Sequence, residues 1–418
     1  MKEKIAFVVV RYGKDINGGA EYHCRMLAER LTDTYDVEVL TTCVNDYVKG
    51  GNDLPESTEV DNGVLVRRFN VAPLPPKNTP HREMKWPRRI RRFLYHAHLL
   101  RWFSYVHPIW RWQRDGEIND MRWNVFNSPN LYKFLREHKN EYRAIIPITI
   151  DWPLTYYTAM IAGEKCICIP TMHDHKVSYR GILTEAFSRF AYVGFNTEAE
   201  QKLGVNLFGR ALHRHGIISV SIEDQHPADW KTTKQKYGLP DRYITYVGRV
   251  DHVKIDGLAE AFTTFKQMYP ESPLKLVMVG GIFEKPALNS DDIIYTGFVD
   301  KADKEAIILN SVAVVNPSRF ESLSLILLEA LSLGRPILVN GHCAVLKGHC
   351  KKSGYAAEYY MNPKQFARRL HRLESSDELW QQRSESGKRY VEEYYNWPLI
   401  MGRLRKVIES MPRNGKEQ

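Results

Sequence analysis

Cysteines are few in this sequence, and no two of them form a C-x-x-C pair. The chain of 418 residues has six, scattered from position 24 to position 350. Because the sequence shows no secretion signal either, this pattern favours reduced thiols in a cytoplasm. Cys166 and Cys168 alternate along an expected strand, so we predict that they face the same side as small core residues.

Long apolar runs are also missing. No window approaches the ~18 apolar residues that span a bilayer, which excludes a membrane-crossing segment. The first apolar run, Ile5–Val10, stops at Arg11 without a small-residue cleavage site. We therefore interpret it as a buried strand rather than a signal peptide. Low-complexity blocks are absent, and a hydrophobic content of 43% is typical of a soluble globular protein. The length of 418 residues suggests two or three domains.

Acidic residues are nearly absent from one segment, residues 77–114. This segment has ten Lys and Arg but one acid, and it carries most of the net charge of +10. Its cations are mixed with Trp, Tyr and Phe, a mixture that suits an anionic membrane surface or a lipid-linked acceptor. A nucleic-acid site and a helical insertion packed on its own domain are the alternatives. The candidate contact residues are Arg88, Arg89, Arg91, Arg92, Trp102 and Trp110.

Most of the remaining chain alternates between strand and helix patterns. Residues 36–42 predict a strand, and Cys24, Leu27, Ala28 and Leu31 predict one apolar face of a helix. Repeated βα units indicate parallel sheets covered by helices. The alternation stops and restarts near 212–230, so we expect an α/β protein of two Rossmann-like domains facing across a cleft. The predicted domains are 1–215, with an insertion at about 75–125, and 216–397.

Two carboxylates lie in the apolar stretch RFESLSLILLEALSLGRP, at Glu321 and Glu329. We place Glu321 in a loop after the strand VAVVNP, with a helix beginning near residues 322–324 and Glu329 about two turns inside. The helical neighbours of Glu329 are largely apolar, and a carboxylate there needs hydrogen-bond donors. A pair of sugar hydroxyls would supply them. An exposed glutamate, or one paired with a local arginine such as Arg335, is the alternative.

Two cations follow a strand in the second half of the chain, in YVGRVDHVKIDG. Arg249 and Lys254 lie between that strand and the next helix, a position that suits a diphosphate; an ordinary solvated loop is the alternative. We find no D-x-D, and these cations would take the role of a metal, so no metal and no other cofactor is expected. An H-x-H metal pair at His173 and His175 is the less favoured possibility.

These pieces together resemble a known family. The run from Arg319 to Pro336 resembles the E-x7-E motif of the retaining GT-B glycosyltransferases of family four. VGRVDHVK resembles that family's G-R-x-x-x-x-K diphosphate motif, and NGGAE, MHDH and FNTEAE are similar to its Gly-rich loop, "HD" and "S-E-x-x" positions. The five motifs occur in the family's order over nearly the whole chain, with 75–125 least matched. The resemblance is greatest to bacterial enzymes of surface-polysaccharide assembly.

The resemblance implies a role for each matching residue. Glu329 would bind the donor ribose, and Glu321 would contact the donor sugar. In the domain 216–397, the diphosphate would meet Gly248, Arg249, Lys254 and the backbone N–H groups of Ser324 and Leu325, while Phe298 would lie where the base is held. In the domain 1–215, Gly19 would approach the phosphates and His173 would hydrogen-bond the sugar. Residues 398–418 would return to the N-terminal domain as a helix.

The activity implied is metal-independent, retaining transfer of a sugar from a nucleotide-sugar donor to a saccharide or polyprenyl-linked acceptor. Such an enzyme of capsule or O-antigen synthesis would be cytoplasmic and would bind the inner face of the membrane peripherally. Nucleic acid is not expected among its partners. Ser324 stands where the family pattern has Gly, so the donor sugar is not implied. The alternatives are a GT-B epimerase or phosphorylase, or a non-enzymatic protein that binds membrane or nucleic acid through 77–114.

Overall fold

The chain forms two units in the computed structural model, which describes residues 2–14, 16, 18–47, 49–74, 85–102, 111–251, 254–255, 257–283 and 290–413. Unit 1 comprises residues 1–220 and 400–418, and unit 2 comprises residues 221–399. None of the helices among the described residues combines the length and the apolar character that spanning a bilayer requires.

Unit 1 contains a mainly parallel sheet. Its strands are β1 (Lys4–Val8), β2 (Asp36–Thr42), β3 (Ser57–Asp61), β4 (Val64–Phe69), β5 (Ala144–Pro147), β6 (Ile167–Cys168), β7 (Tyr192–Phe195) and β8 (His215–Ile217). They pair in the orders β3-β4-β2-β1-β5 and β6-β7-β8, and single parallel bridges join the β5 and β6 segments. Only β3 is antiparallel to its neighbour. Apart from β3, the order runs outward from β1 in both directions, which is the doubly wound arrangement.

Seven helices of unit 1 are described between these strands. They are α1 (Gly19–Leu31), α2 (Lys85–His96), α3 (Arg111–Arg122), α4 (Pro129–His138), α5 (Pro153–Ala162), α6 (Ile182–Phe187) and α7 (Glu198–Phe208). The four predicted apolar residues of α1 are fully buried. Thr197 caps α7, because its side chain accepts a hydrogen bond from the backbone N–H of Glu200. The predictions for α1 and β2 are therefore confirmed.

Unit 2 contains a second sheet in which every strand pairing is parallel. Its strands are β9 (Tyr243–Val247), β10 (Lys275–Val279), β11 (Ile293–Gly297), β12 (Ala313–Asn316), β13 (Ile337–Asn340) and β14 (Ala357–Tyr360). They lie in the order β11-β10-β9-β12-β13-β14. The strand order reverses between β9 and β12, and loops that follow strands at such a point are where doubly wound sheets bind ligands.

The helices that follow complete the chain. They are α8 (Trp230–Tyr237), α9 (Leu258–Met268), α10 (Lys301–Leu309), α11 (Leu325–Ser332), α12 (Ala344–Lys352), α13 (Pro363–Ser375), α14 (Asp377–Tyr394) and α15 (Trp397–Glu409). From Ile400 onward α15 belongs to unit 1, where Arg405 forms an ion pair with Asp33 at 2.9 Å.

Two local predictions need correction. The strand expected over 165–171 is reduced to Ile167–Cys168, because the chain reaches a proline at 170 and then turns. Both predicted core cysteines are nonetheless fully buried, and all six cysteines are free thiols. Helix α11 begins at Leu325, so Glu329 lies just over one turn inside it rather than two.

Candidate functional site

Glycine shapes the loop after β9 in unit 2. Gly248 has φ +152°, and a Cβ added there would lie 2.8 Å from the hydroxyl of Tyr246. The Cβ of any other residue at Gly280 would lie 2.0 Å from the carbonyl oxygen of Gly248. The backbone after β9 and the backbone after β10 therefore touch directly, and both positions require glycine.

The two predicted cations lie in this loop, each beside a carboxylate. Lys254 Nζ lies 3.0 Å from Glu321 Oε1, so the loop after β9 and the loop after β12 are joined at the reversal point of the sheet. Arg249 Nε lies 3.4 Å from Asp251 Oδ2, and Asp251 also accepts a hydrogen bond from the backbone N–H of Lys254 at 2.8 Å. The Arg249 side chain is 54% exposed. An ammonium has three donors, so Lys254 keeps two for an anion while it holds Glu321.

The loop that carries Glu321 is fixed at its end by Ser324. This residue has φ +79° and ψ +84°, although it is not glycine. Its hydroxyl oxygen accepts hydrogen bonds from Asn316 Nδ2 at 2.9 Å and from the backbone N–H of Leu327 at 3.4 Å. Ser324 is therefore the N-cap of α11, and a buried amide from the end of β12 supports its left-handed backbone.

The same loop is held from behind by a histidine that the sequence analysis did not single out. His349, in α12, is buried, and its Nε2 lies 2.8 Å from the carbonyl oxygen of Leu323. Burial lowers the pKa of His349 to about 4, so the ring is neutral at pH 7. Because a carbonyl can only accept, Nε2 carries the proton, and Nδ1 accepts from the hydroxyl of Tyr390 at 2.8 Å.

Glu329 is paired, but not with the cation that its sequence neighbours suggested. Its side chain is 10% exposed, and its Oε2 lies 2.7 Å from Nζ of Lys304 in α10. Arg335 instead donates to the carbonyl of Ser311 at 3.3 Å and lies over the ring of Trp380. The suggestion of a local arginine such as Arg335 as partner is therefore wrong, because the partner is Lys304 of another helix.

Two aromatic rings are exposed at one edge of the unit 2 sheet. Phe298, directly after β11, is 68% exposed, and Phe283 is 59% exposed. Their rings meet edge to face with centroids 6.4 Å apart, and a Cβ at Gly281 would lie 2.5 Å from the Phe298 ring. Arg249 lies 5.9 Å from the Phe283 ring centroid. An exposed aromatic pair beside a cation offers a flat apolar surface to a planar ligand.

In unit 1, the Gly-rich loop precedes α1, and Asn17 in it lies outside the described residues. A Cβ added at Gly19 would meet no atom within 4 Å among the described residues, so none of these neighbours requires glycine there. At Gly18 an added Cβ would lie 2.2 Å from Glu21, whose carboxylate holds Arg11 in a buried ion pair of 2.9 Å. The packing of unit 1 therefore explains Gly18 and leaves open space at Gly19.

His173 lies in a turn that the buried carboxyl group of Glu200 supports. Glu200 accepts hydrogen bonds from the backbone N–H groups of Met172 and Asn196, both at 2.6 Å. It is fully buried, and this burial raises its pKa to about 8. The backbone oxygen of His173 accepts from the Ser178 hydroxyl at 2.7 Å. FNTEAE therefore has a clear structural role, since its last residue fixes the start of MHDH.

The structure separates the four candidate arginines of α2. Arg88 is buried, and Arg91 donates to Thr184 at 3.1 Å, so the packed-insertion alternative describes this inner face. Arg89 and Arg92 are exposed. Trp102 is 71% exposed, and Trp110 lies outside the described residues.

His173 and His175 have ring centroids 5.8 Å apart. Within the described part of the chain, no group of three or more His, Cys, Asp or Glu is arranged to hold a metal ion.

Part of the chain is similar in sequence to a known protein family and to a curated protein. Residues 230–390 match the family model "Glycosyl transferases group 1". Glycosyltransferase 1 domain-containing protein 1 of Xenopus tropicalis is 28% identical over 167 residues, which are 38% of this chain and 47% of that protein. The matched region thus spans about half the length of this curated relative.

Solved structures are similar over nearly the whole chain. Sucrose-phosphate synthase from Thermosynechococcus elongatus has a TM-score of 0.67 at 15% identity, covering 98% of both chains. The Anabaena protein HepE, in complex with UDP and glucose, has a TM-score of 0.64 at 13% identity, covering 98% of this chain and 100% of HepE. The predicted fold class is confirmed: the chain has the α/β GT-B fold with two Rossmann-like domains, and these findings support the group 1 glycosyl transferase family.

Proposed function

We propose that this protein is a glycosyltransferase that moves a sugar from a nucleotide-sugar donor to a saccharide or polyprenyl-linked saccharide acceptor, with retention and without a metal. The observation that carries the proposal is the Lys254–Glu321 pair, which joins the loops at the reversal point of the unit 2 sheet. The family match over 230–390 and the UDP and glucose of the similar HepE structure support it.

The proposed reaction places negative charge on a leaving diphosphate. The bond between the anomeric carbon and the diphosphate oxygen breaks, the acceptor hydroxyl oxygen bonds to that carbon, and its proton passes to the departing diphosphate. Arg249, Lys254 and the N-terminal backbone of α11 at Ser324 and Leu325 would stabilise this charge. The α11 N-terminus is formed by the Ser324 cap, so the cap would serve the diphosphate as well as the helix.

The other roles follow the neighbourhood of each group. Glu321 would orient the sugar hydroxyls, with the ion pair to Lys254 holding its side chain in place. Glu329 would bind the ribose, and Phe298 would hold the base on its exposed ring. His173 would contact the donor sugar, and Gly19 would approach the phosphates.

The proposed setting is the synthesis of a bacterial surface polysaccharide such as capsule or O-antigen. A polyprenyl-linked acceptor would be embedded in the cytoplasmic membrane, so the enzyme would bind the inner face of that membrane peripherally. The basic and aromatic segment 77–114 supports this location through its charge.

A panel of UDP-, GDP-, dTDP- and ADP-sugars tests the proposal with the full chain. The cognate donor raises the melting temperature because it binds only the folded state, and with an acceptor saccharide it gives a glycoside of unchanged anomeric configuration. Lys254→Ala is expected to lower turnover by roughly 10²–10³-fold. The control is Lys364→Ala, which replaces an exposed lysine of unit 2 and should keep the wild-type rate. Epimerised donor without transfer, or a sugar 1-phosphate formed from glycoside and phosphate, would establish the rival activities instead.

A further inference from the structure

Helix α2 has an inner face that packs on unit 1. Arg91 donates to Thr184 Oγ1 and to the carbonyl of Leu207, and burial lowers its pKa. Leu94 and Tyr95 pack against the unit 1 core. These contacts fix the rotation of α2 about its own axis, and the remaining side chains therefore have a defined outward direction.

Two stripes of different chemistry lie on the outer face of α2. The first is cationic and consists of Lys85, Arg89 and Arg92, at positions i, i+4 and i+7, all exposed. The guanidinium of Arg92 also lies 5.9 Å from the ring centroid of Tyr179 in unit 1, at the border between the outer and inner faces. The second is apolar, has the same spacing, and consists of Trp86, Ile90 and Phe93, which are 62%, 37% and 70% exposed. We call these six residues the outer face. Side chains at this spacing lie in line along a helix, so the two stripes run side by side.

The outer face is unusual for a surface in contact with water alone. A tryptophan and a phenylalanine, each mostly exposed on adjacent turns, keep a large apolar area hydrated. The twelve residues of α2 contain no acid, so the adjacent cations have no carboxylate partner within the helix. Apolar and cationic groups are thus presented on adjacent sides of the helix, about 100° apart around its axis.

We propose that the outer face of α2 binds an anionic lipid bilayer. Tryptophan and phenylalanine enter the boundary between headgroups and acyl chains, while lysine and arginine attract anionic headgroups. This inference rests on the membrane location in the proposed function but not on sugar transfer.

Two other partners fit the outer face less well. A second copy of the chain would bring cationic stripes together, and like charges repel. Single-stranded nucleic acid would stack its bases on Trp86 and Phe93. It would offer no aliphatic group to contact Ile90, which lies between them in the apolar stripe.

The test is co-sedimentation of the full chain with vesicles of phosphatidylglycerol and phosphatidylcholine, compared with vesicles of phosphatidylcholine alone. We expect binding to the anionic vesicles only. The triple variant K85Q/R89Q/R92Q should bind at least about tenfold more weakly. The control variant R122Q/K133Q/R136Q makes the same charge change at exposed cations of α3 and α4, and should bind like the wild type. W86S/I90S/F93S, which keeps the cations, should also lose at least about tenfold.

Several results would overturn the inference. They are no binding of the wild type to anionic vesicles, equal weakening of both charge variants, or unchanged binding of W86S/I90S/F93S. Tight binding of a single-stranded oligonucleotide without vesicle binding would assign the face to nucleic acid, and a dimer in solution that W86S/I90S/F93S dissociates would assign it to a second copy. Vesicle binding needs no donor sugar, so a failed transfer assay leaves this test intact.

Discussion

The neutral imidazole of His349 donates from Nε2 to the carbonyl oxygen of Leu323 at 2.8 Å. This bond ties helix α12 to the loop between Glu321 and Ser324. On its other side the ring accepts from Tyr390 of α14. A buried chain of polar groups thus connects the body of unit 2 to the loop that would face the donor sugar.

Replacement of His349 should therefore affect both stability and catalysis. His349→Phe removes the donor to the Leu323 carbonyl and the ring nitrogen that accepts from the Tyr390 hydroxyl, and we expect unfolding in urea to cost about 2 kcal/mol less. If the loop places Glu321, turnover falls more than donor affinity. Tyr390→Phe, which spares the bond to Leu323, should lose stability but keep most of the turnover. Equal turnover in the two variants would show that the histidine has a structural role only.

Two substitutions of Ser324 separate the contribution of its helix cap to stability from the cost of its left-handed backbone. Ser324→Ala keeps a side chain at φ +79° and removes the acceptor of Asn316 and Leu327, so we expect a loss of about 2 kcal/mol. Ser324→Gly removes the same acceptor but relieves the strain, and should lose about 1 kcal/mol. The free energy of unfolding from urea titration decides the order. An alanine variant more stable than the glycine variant would contradict the assignment of strain.

Features set by local pattern could be predicted from the sequence. Strand β2 and the buried face of α1 follow from spacing alone, and the parallel sheets with covering helices follow from the repeated βα alternation. Lys254 and Glu321, 67 residues apart, meet because β9 and β12 are neighbours. The roles of these two residues came from the resemblance, not from spacing.

Features that depend on packing between distant elements could not be predicted. Lys304 and Glu329 lie 25 residues apart on different helices, and no periodic pattern links them. The rotation of α2, which separates Arg88 and Arg91 from Arg89 and Arg92, is set by contacts with residues such as Thr184. His349 gave no signal because a single histidine in a helix is ordinary.

Substitutions of Lys304 and Glu329 distinguish a structural role of Glu329 from a role in binding the nucleotide. Glu329→Gln should weaken nucleotide binding by roughly ten- to a hundredfold, as expected for loss of a charged acceptor to the ribose. Lys304→Met should mainly destabilise unit 2, because it leaves the buried carboxylate without its cation.

The double variant Lys304→Met/Glu329→Gln should recover stability but not affinity, as measured by urea unfolding and by calorimetric titration of the nucleotide. Wild-type affinity in Glu329→Gln would remove this residue from the donor site and leave the ion pair as its explanation.

Glu200 should make the stability of the protein depend on pH. In the unfolded chain its carboxyl loses the proton near the ordinary pKa of 4.5, whereas burial keeps the proton bound in the folded state up to about 8. Between these values the folded state binds more protons, so the free energy of unfolding falls as the pH rises, by an amount on the order of a few kcal/mol.

Urea unfolding at several pH values from 5 to 8 measures this slope. Glu200→Gln, which cannot ionise, should flatten it, and Glu198→Gln, at an exposed acid in the first turn of the same helix, should not. A slope unchanged in Glu200→Gln would mean that Glu200 is ionised in the folded protein, stabilised by the backbone N–H groups of Met172 and Asn196.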